Sequence, residues 1–306
     1  MQELDASKLM DLHECVINGL KYLSGKKLPS LDFLNEYSRL FGVGSGNAEV
    51  TLRILLECSD AVIADESEYK KKLDIAKGID TAILLSASGG KHAHIIGKDL
   101  NERDFEAYLF TCNPNALARE YFDEEKVSVF PSTKELYTYN FITYVSMILT
   151  KTKEDPGQIL KYIMTEVDPL IPGTLGKYKA FYLIVPNRFN NIRDMFITKF
   201  DELFGSKISK RVFTPEQSKH AKTVVPSDEM FISLGYDNQL FGNEDVRLNI
   251  PLPENAGYAA MMAIGYYVIG NIQAQKPPWF KENLVPYCKW ASEVFGHKIE
   301  PIVKYV

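Results

Sequence analysis

Cysteine is scarce and scattered in this chain. Cys15, Cys58, Cys112 and Cys288 stand far apart, with no CxxC pair and no Cys/His ligand spacing. That excludes a disulfide framework or a zinc module and implies free thiols in a reducing compartment. A basic excess is missing as well: 35 Lys and Arg face 40 Asp and Glu, a formal net charge of -5. Neither nucleic acid nor an anionic membrane surface is therefore the expected partner. A small anionic ligand stays open, because such a site needs only local donors. Long hydrophobic runs are absent: the apolar stretch Ala256–Ile272 is interrupted by Gly265 and Gly270 and falls short of a membrane span, so a buried helix is expected. Glu3, Asp5, Asp11 and Glu14 make the N-terminus unlike a secretory signal or a transit peptide, and a cytoplasmic location is expected. Histidine numbers only five. His13 and His297 have no partner in sequence, and His92 and His94, two apart, cannot share a helix face or complete a metal site with any nearby acidic cluster.

What is present is an ordinary globular composition, 45% hydrophobic and 25% charged over 306 residues, enough for two α/β domains. Leu9, Leu12, Val16, Leu20 and Leu23 recur at helical spacing before Gly25, which predicts an amphipathic lead-in helix. Short apolar runs then alternate with helical stretches. Strands are expected at Tyr37–Phe41, Ala61–Ala64, Thr81–Leu85, Phe105–Thr111 and Val127–Phe130, and a long helix at Thr133–Leu149. Polar residues with Pro156, Gly157, Pro169, Pro172 and Gly173 follow, placing a domain boundary near 150/151. The second half repeats strand, turn, helix, with strands expected at Ala180–Val185, Lys210–Phe213, Met230–Leu234 and Val246–Leu252. Such alternation means βαβ units, hence parallel sheets covered on both faces: two doubly wound αβα layers, residues 1–150 and 151–306, related by a divergent internal duplication.

Three loops in the first half carry the donors. Gly42-Val43-Gly44-Ser45-Gly46, followed by Asn47, lies between a strand and a helix, where backbone N–H groups approach an anion. A sugar-anion loop, a dinucleotide loop and a plain tight turn all fit it. The dinucleotide fingerprint lacks its third glycine, since the sixth position counted from Gly42 is Asn47, although Asp65 sits where a ribose-binding acid would lie. Ser86-Ala87-Ser88-Gly89-Gly90-Lys91 sets alternate hydroxyls and glycines before a helix, suited to an anion or simply to capping. Ser132-Thr133-Lys134 opens the expected long helix, where a lysine in the first turn is unfavourable unless it faces an anion.

In this order, Gly-x-Gly-Ser-Gly, Ser-x-Ser-Gly, Thr111-Cys112-Asn113 and Ser132-Thr133-Lys134, with Ala64-Asp65-Glu66-Ser67-Glu68-Tyr69 between the first two, the chain resembles the sugar-isomerase (SIS) family. The resemblance covers Phe41 to Leu149 and, more faintly, 180–272. It is to the double-domain group that includes the isomerase half of glucosamine-6-phosphate synthase and the archaeal phosphoglucose/phosphomannose isomerases. It implies a homodimer with a shared active site that acts on a small anionic sugar without metal or other cofactor. Ser45, Ser86, Ser88 and Thr133 would grip the anion, with Gly44, Gly46, Asn47, Lys91, Ser132 and Lys134 around it. Lys91 stands where the family has threonine, and Gly46 or Asn47 where it has serine, so phosphate and sulfonate are both open. In the second half, Lys199-Phe200-Asp201-Glu202 and the downstream Lys219-His220 resemble the catalytic pattern. Glu202 would shuttle a proton between C1 and C2, His220 would assist ring opening, and Lys199 would lie one helical turn from Glu202. Without the resemblance these side chains read as a solvated helix face and a surface histidine.

Aldose–ketose isomerisation is therefore the expected activity. Glutamine-dependent amide transfer is not expected of these residues, since no cysteine follows Met1, while use of free ammonia stays open. The rivals are deglycation or deamination of a 6-phosphorylated amino sugar, a non-catalytic sugar-phosphate sensor, and a dinucleotide-dependent oxidoreductase. The short acidic lead-in is too small for the DNA-binding helix-turn-helix that such sensors carry.

Overall fold

Fully buried strands in a parallel sheet are continuous apolar runs cut off by turn residues, and Thr81–Leu85 (TAILL) and Met230–Leu234 (MFISL) form strands over those residues with every position buried. The computed structural model describes residue 5, residues 8–221 and residues 224–305, and of Lys91 only the backbone. It divides into two compact units. One comprises Gly25–Thr133, Ile142–Lys153 and Lys304–Val306; the other comprises Met1–Ser24, Lys134–Phe141 and Glu154–Val303.

The first of these holds a five-stranded parallel sheet. In chain order its elements are β1 (Arg39–Gly44), α2 (Asn47–Leu55), β2 (Asp60–Ala64), α3 (Tyr69–Ile75), β3 (Thr81–Leu85), α4 (Lys91–Glu102), β4 (Glu106–Thr111) and β5 (Val127–Val129). The strand order is β2-β1-β3-β4-β5. One face of the sheet buries alternate residues, Phe41 and Val43, Ala82 and Leu84, Ala107 and Leu109, against Leu73, Ile96 and Leu100 of α3 and α4. On the other, the bare Cα of Gly42 meets Leu52 and Leu56 of α2 and its continuation. Successive strands step outward from β1 on one side and from β3 on the other. The switch point therefore lies between β1 and β3, whose carboxyl ends run into the two glycine-bearing loops.

The second unit has a four-stranded parallel sheet made of β7 (Ala180–Ile184), β8 (Ser209–Phe213), β9 (Met230–Leu234) and β10 (Arg247–Ile250), in the order β10-β9-β7-β8. Numbered from its own first strand this is 2-1-3-4, the order of the first sheet without its fifth strand. The duplication expected from the sequence is thus present in the topology. Around it lie α1 (Leu12–Leu23), α6 (Pro156–Tyr162), α7 (Arg193–Phe204), α8 (Pro215–Ala221), α9 (Tyr258–Ala274) and α10 (Trp279–Phe295). Helix α9 is buried along nearly its whole length, as expected for its apolar sequence. Among the described residues no helix is long and apolar enough to cross a membrane.

Two expectations need correction. The lead-in helix α1 groups with the four-stranded unit, packing on α9, so the chain does not partition at 150/151. The long helix begins at Phe141, not Thr133: α5 spans Phe141–Thr152. Before it, β6 (Glu135–Leu136) pairs antiparallel with β11 (Ile302–Val303), and Thr138 and Asn140 take left-handed backbone at φ 76 and 49. A segment with two such residues cannot continue a helix. The side chain of Glu135 accepts the Phe141 N–H at 2.9 Å, so the first turn of α5 is capped from six residues upstream.

Candidate functional site

At the switch point of the five-stranded sheet the ends of β1 and β3 enclose a cavity of about 220 Å³, lined by Gly44, Ser45, Ser86, Ser88, His92 and Tyr305 among others. The carboxyl edge beside such a switch is where open α/β sheets bind ligands. Gly44 is required there: a Cβ at this position would lie 2.9 Å from the backbone of Ala48 and Glu49, so only glycine lets β1 fold back tightly onto α2. Gly46 then caps α2 at φ 54.

The serine loop is held from behind. Ala87 O accepts from Thr111 Oγ1 at 3.1 Å and from the Cys112 N–H at 3.0 Å, while Asn113 Nδ2 donates to Ser88 O at 2.9 Å. The Thr111-Cys112-Asn113 motif is therefore the scaffold of the loop. Ser86 Oγ accepts from Gly89 N at 3.2 Å and Ser88 Oγ from Gly90 N at 3.3 Å. With each oxygen engaged as an acceptor, the hydroxyl hydrogens are left to donate toward a ligand. Gly90 caps α4, whose first intrahelical acceptor is Gly90 O, bonded by His94 N. The N–H groups of residues 91–93 thus add the positive end of a helix to the same place.

Hydroxyls and a helix N-terminus are the donors an anion pocket would need, and the cavity's volume suits one small head group rather than a nucleotide cofactor, whose clefts run to roughly 300–1,000 Å³. The dinucleotide reading fails on a second count. Asp65 is committed to its own turn, accepting from Ser67 N, Ser67 Oγ and Glu68 N, and the hydrogen bond from the Ser67 hydroxyl is the main cause that holds its carboxyl below the ordinary range.

Of the other residues singled out from sequence, Asn47 opens α2 almost fully buried and, like Gly46, is not among those lining the cavity. Lys91 opens α4, and its side chain lies outside the described residues. Ser132 and Thr133 follow β5 in irregular backbone and do not line the cavity. Lys134 is exposed, precedes β6 rather than opening a helix, and belongs to the other unit; the helix-dipole argument for it therefore falls. Sequence reasoning missed Tyr144 of α5 and Tyr305, which line the cavity from remote parts of the chain. His92, set aside above as a metal ligand, also lines the cavity.

In the four-stranded unit, Lys199 and Glu202 lie one turn apart on α7. Lys199 is fully buried, and its Nζ donates to Glu202 Oε2 at 2.6 Å, to Tyr139 O at 3.0 Å and to Thr138 O. The ammonium also stands 5.0 Å from the Tyr266 ring. This pair is no solvated helix face. Glu202 keeps about a fifth of its side-chain surface exposed and lines a second cavity of about 500 Å³ with Tyr137, Asp201, Lys207, Trp279 and Tyr287. His220 sits exposed in the last turn of α8; among the described residues no hydrogen bond or ion pair joins it to Glu202. No group of three or more His, Cys, Asp or Glu side chains able to hold a metal ion occurs among the described residues.

No family model matches the sequence, and no curated protein sequence does either. Solved structures do share the fold. A glucosamine-6-phosphate deaminase from Thermotoga maritima is similar over 86% of this chain and 92% of its own, with a TM-score of 0.60 at 13% identity. A tagatose-6-phosphate ketose/aldose isomerase from Escherichia coli is similar over 88% and 89%, with a TM-score of 0.56 at 11% identity. The sugar-isomerase resemblance read from the sequence therefore stands at the level of the fold, over most of the chain.

Proposed function

We propose that the protein is an aldose–ketose isomerase acting on a sugar with a terminal anion, a 6-phosphate or 6-sulfonate. The observation that carries this reading is the serine–glycine cavity between β1 and β3, where Ser45, Ser86, Ser88 and the start of α4 converge on one anion-sized space. The sequence resemblance supplies the chemistry. Glu202 takes the proton from C2 of the open-chain aldose, the C–H electron pair forms the C1=C2 enediol, and the aldehyde oxygen gains a proton. Return of the proton to C1 and loss of one from the C2 hydroxyl give the ketose. His220 assists ring opening, and Lys199 orients the carboxylate. Both the isomerase and the deaminase among the structural neighbours are named for 6-phosphate sugars, which supports the substrate class. A cytoplasmic homodimer with a shared active site belongs to the same reading.

The test is solvent-deuterium incorporation, followed by proton NMR, into a panel of 6-phospho- and 6-sulfo-sugars. Exchange at C1 or C2 that is lost in Glu202→Gln supports the reading. In Ser86→Ala and Ser88→Ala it predicts sugar affinity about tenfold weaker for each lost charge-assisted hydrogen bond. Unchanged affinity in both would remove the anion pocket from the argument. Release of ammonia or an amine would shift the reaction to deamination or deglycation. Binding without any exchange would make the protein a sensor.

A further inference from the structure

The turn before α5 contains a buried acid that the roles above do not use. Glu135 is 4% exposed. It accepts the Phe141 N–H at 2.9 Å and the Cys15 thiol at 3.2 Å. Between Glu135 and Phe141 the chain passes through left-handed Thr138 and Asn140, a conformation that non-glycine residues keep only where the surroundings over-determine it. What this turn presents is two carbonyls, Thr138 O and Tyr139 O, both accepting from Lys199, whose third partner is Glu202. The Cys15 thiol registers both charges: burial pushes it up first, Glu135 adds to the rise, and Lys199 pulls against it. Glu135 bonds the thiol directly, and Lys199 acts on it through charge alone. A fully buried ammonium balanced only by a partly exposed carboxylate would be costly, and Glu135 brings a second negative charge into its surroundings.

We propose that Glu135 is a positioning residue for Glu202, acting through the 135–141 turn and Lys199; this rests on Glu202 being the base. Glu135 closes the turn that holds Lys199, and its negative charge acts alongside that of Glu202 on the lysine. The groups facing Glu202 are Lys199 on its own helix, Asp201 and Lys207, Tyr137 from the turn and Tyr287 from α10. Glu135 and Cys15 stand behind Lys199. Neutralising Glu135 removes a buried negative charge while the three bonds of Lys199 stay in place. Fewer negative charges nearby make the Glu202 carboxylate a weaker base.

The experiment is a carbon-13 NMR titration of the Glu202 carboxyl, assigned by its disappearance in E202Q, in the wild type and in E135Q. Glutamine keeps an oxygen to accept the Phe141 N–H, so E135Q isolates the charge. The Glu202 midpoint should fall by about one pH unit, and deuterium exchange should slow about threefold at the plateau with KM unchanged, as a weaker base requires. A midpoint that does not move overturns the proposal, whether or not the wild type exchanges deuterium. Absence of exchange in the wild type overturns the isomerase reading instead, and the titration still decides the role of Glu135. If E135Q does not fold, E135D decides. It keeps the charge but shortens the reach to Phe141, so the midpoint should hold within about 0.3 unit while the turn loosens and exchange slows about tenfold or more. A midpoint that moves in E135D, or exchange that does not slow, overturns the proposal.

Discussion

Gly89→Ala is the substitution on which the geometry of the anion loop can be judged quantitatively. Gly89 holds φ 57, and a Cβ built there would stand 2.2 Å from Ala116 Cβ and 3.3 Å from Ala116 Cα. Two separate costs follow. The left-handed backbone costs an L-residue about 1–2 kcal/mol, and forcing a methyl into occupied space costs about 1–3 kcal/mol. Together they give about 3 kcal/mol. Ala116→Gly alone removes a buried methyl and should cost about 1 kcal/mol. In the double variant the methyl–methyl clash is gone but the backbone cost stays. The pair should therefore lose about 2.5 kcal/mol rather than the additive ~4, a coupling near 1.5 kcal/mol. Urea unfolding followed by circular dichroism measures all three variants, and calorimetry with inorganic phosphate measures the pocket. Phosphate binding should weaken in G89A, because relief of the clash must displace Ser86 or Ser88, and should recover in part in the double variant. Strictly additive stabilities, or a G89A loss below about 1 kcal/mol, would refute the packing of this loop against Ala116.

Lys199→Met keeps the volume but leaves two buried carbonyls and Glu202 without their donor, so urea unfolding should show a loss of about 3 kcal/mol, the lower end for a broken buried pair because Glu202 is partly solvated; a loss below about 1 kcal/mol would show that water replaces the ammonium. Alkaline pH offers an independent check on the buried phenols. Burial is the main cause that raises Tyr139 and Tyr267 above the ordinary value of 10.0. Below that value the phenols are neutral in both the folded and unfolded chain and stability is complete; above it the unfolded chain ionises first, so stability falls as pH rises. The melting temperature should decline progressively above about pH 10, and a flat profile to about pH 12 would contradict the burial of these side chains.

Strands were the most legible part of the fold because their buried apolar runs end sharply at polar turns, as at Thr81–Leu85 and Met230–Leu234. The glycine and serine loops were legible for a related reason, since backbone conformation and capping restrict which residues can stand there. Residues 133–140 were not. Thr-Lys-Glu-Leu-Tyr-Thr-Tyr-Asn runs directly into a helical pattern, and the pairing that holds its start is with Ile302–Val303, so remote that no local pattern signals it. The amphipathic period of α1 likewise reveals that one face is buried but not by which partner, and the partner proved to be α9. Tyr305 lies near the end of the numbered chain with no motif around it, and its place in the cavity depends on tertiary structure alone.

The two sheets repeat one strand order but do not offer the same chemistry at their switch points. In the five-stranded unit, both strands beside the switch run into glycine-bearing loops and then into helices of nine and twelve residues. The serine hydroxyls and the start of the second of these helices meet at one small cavity. At the matching place in the other unit, β7 runs into Val185 and Pro186. Proline has no N–H to offer, and Phe189 N is spent within the turn on Pro186 O. The Ser-x-Ser-Gly loop that follows β3 has no counterpart after β7 or β9. What the second copy contributes instead is α7, where a buried lysine with every donor engaged fixes a carboxylate beside a cavity. Transplanting Gly-x-Gly-Ser-Gly after β7 should accordingly create no phosphate affinity by calorimetry, because the Ser-x-Ser-Gly loop that would complete the set of donors is missing after β9.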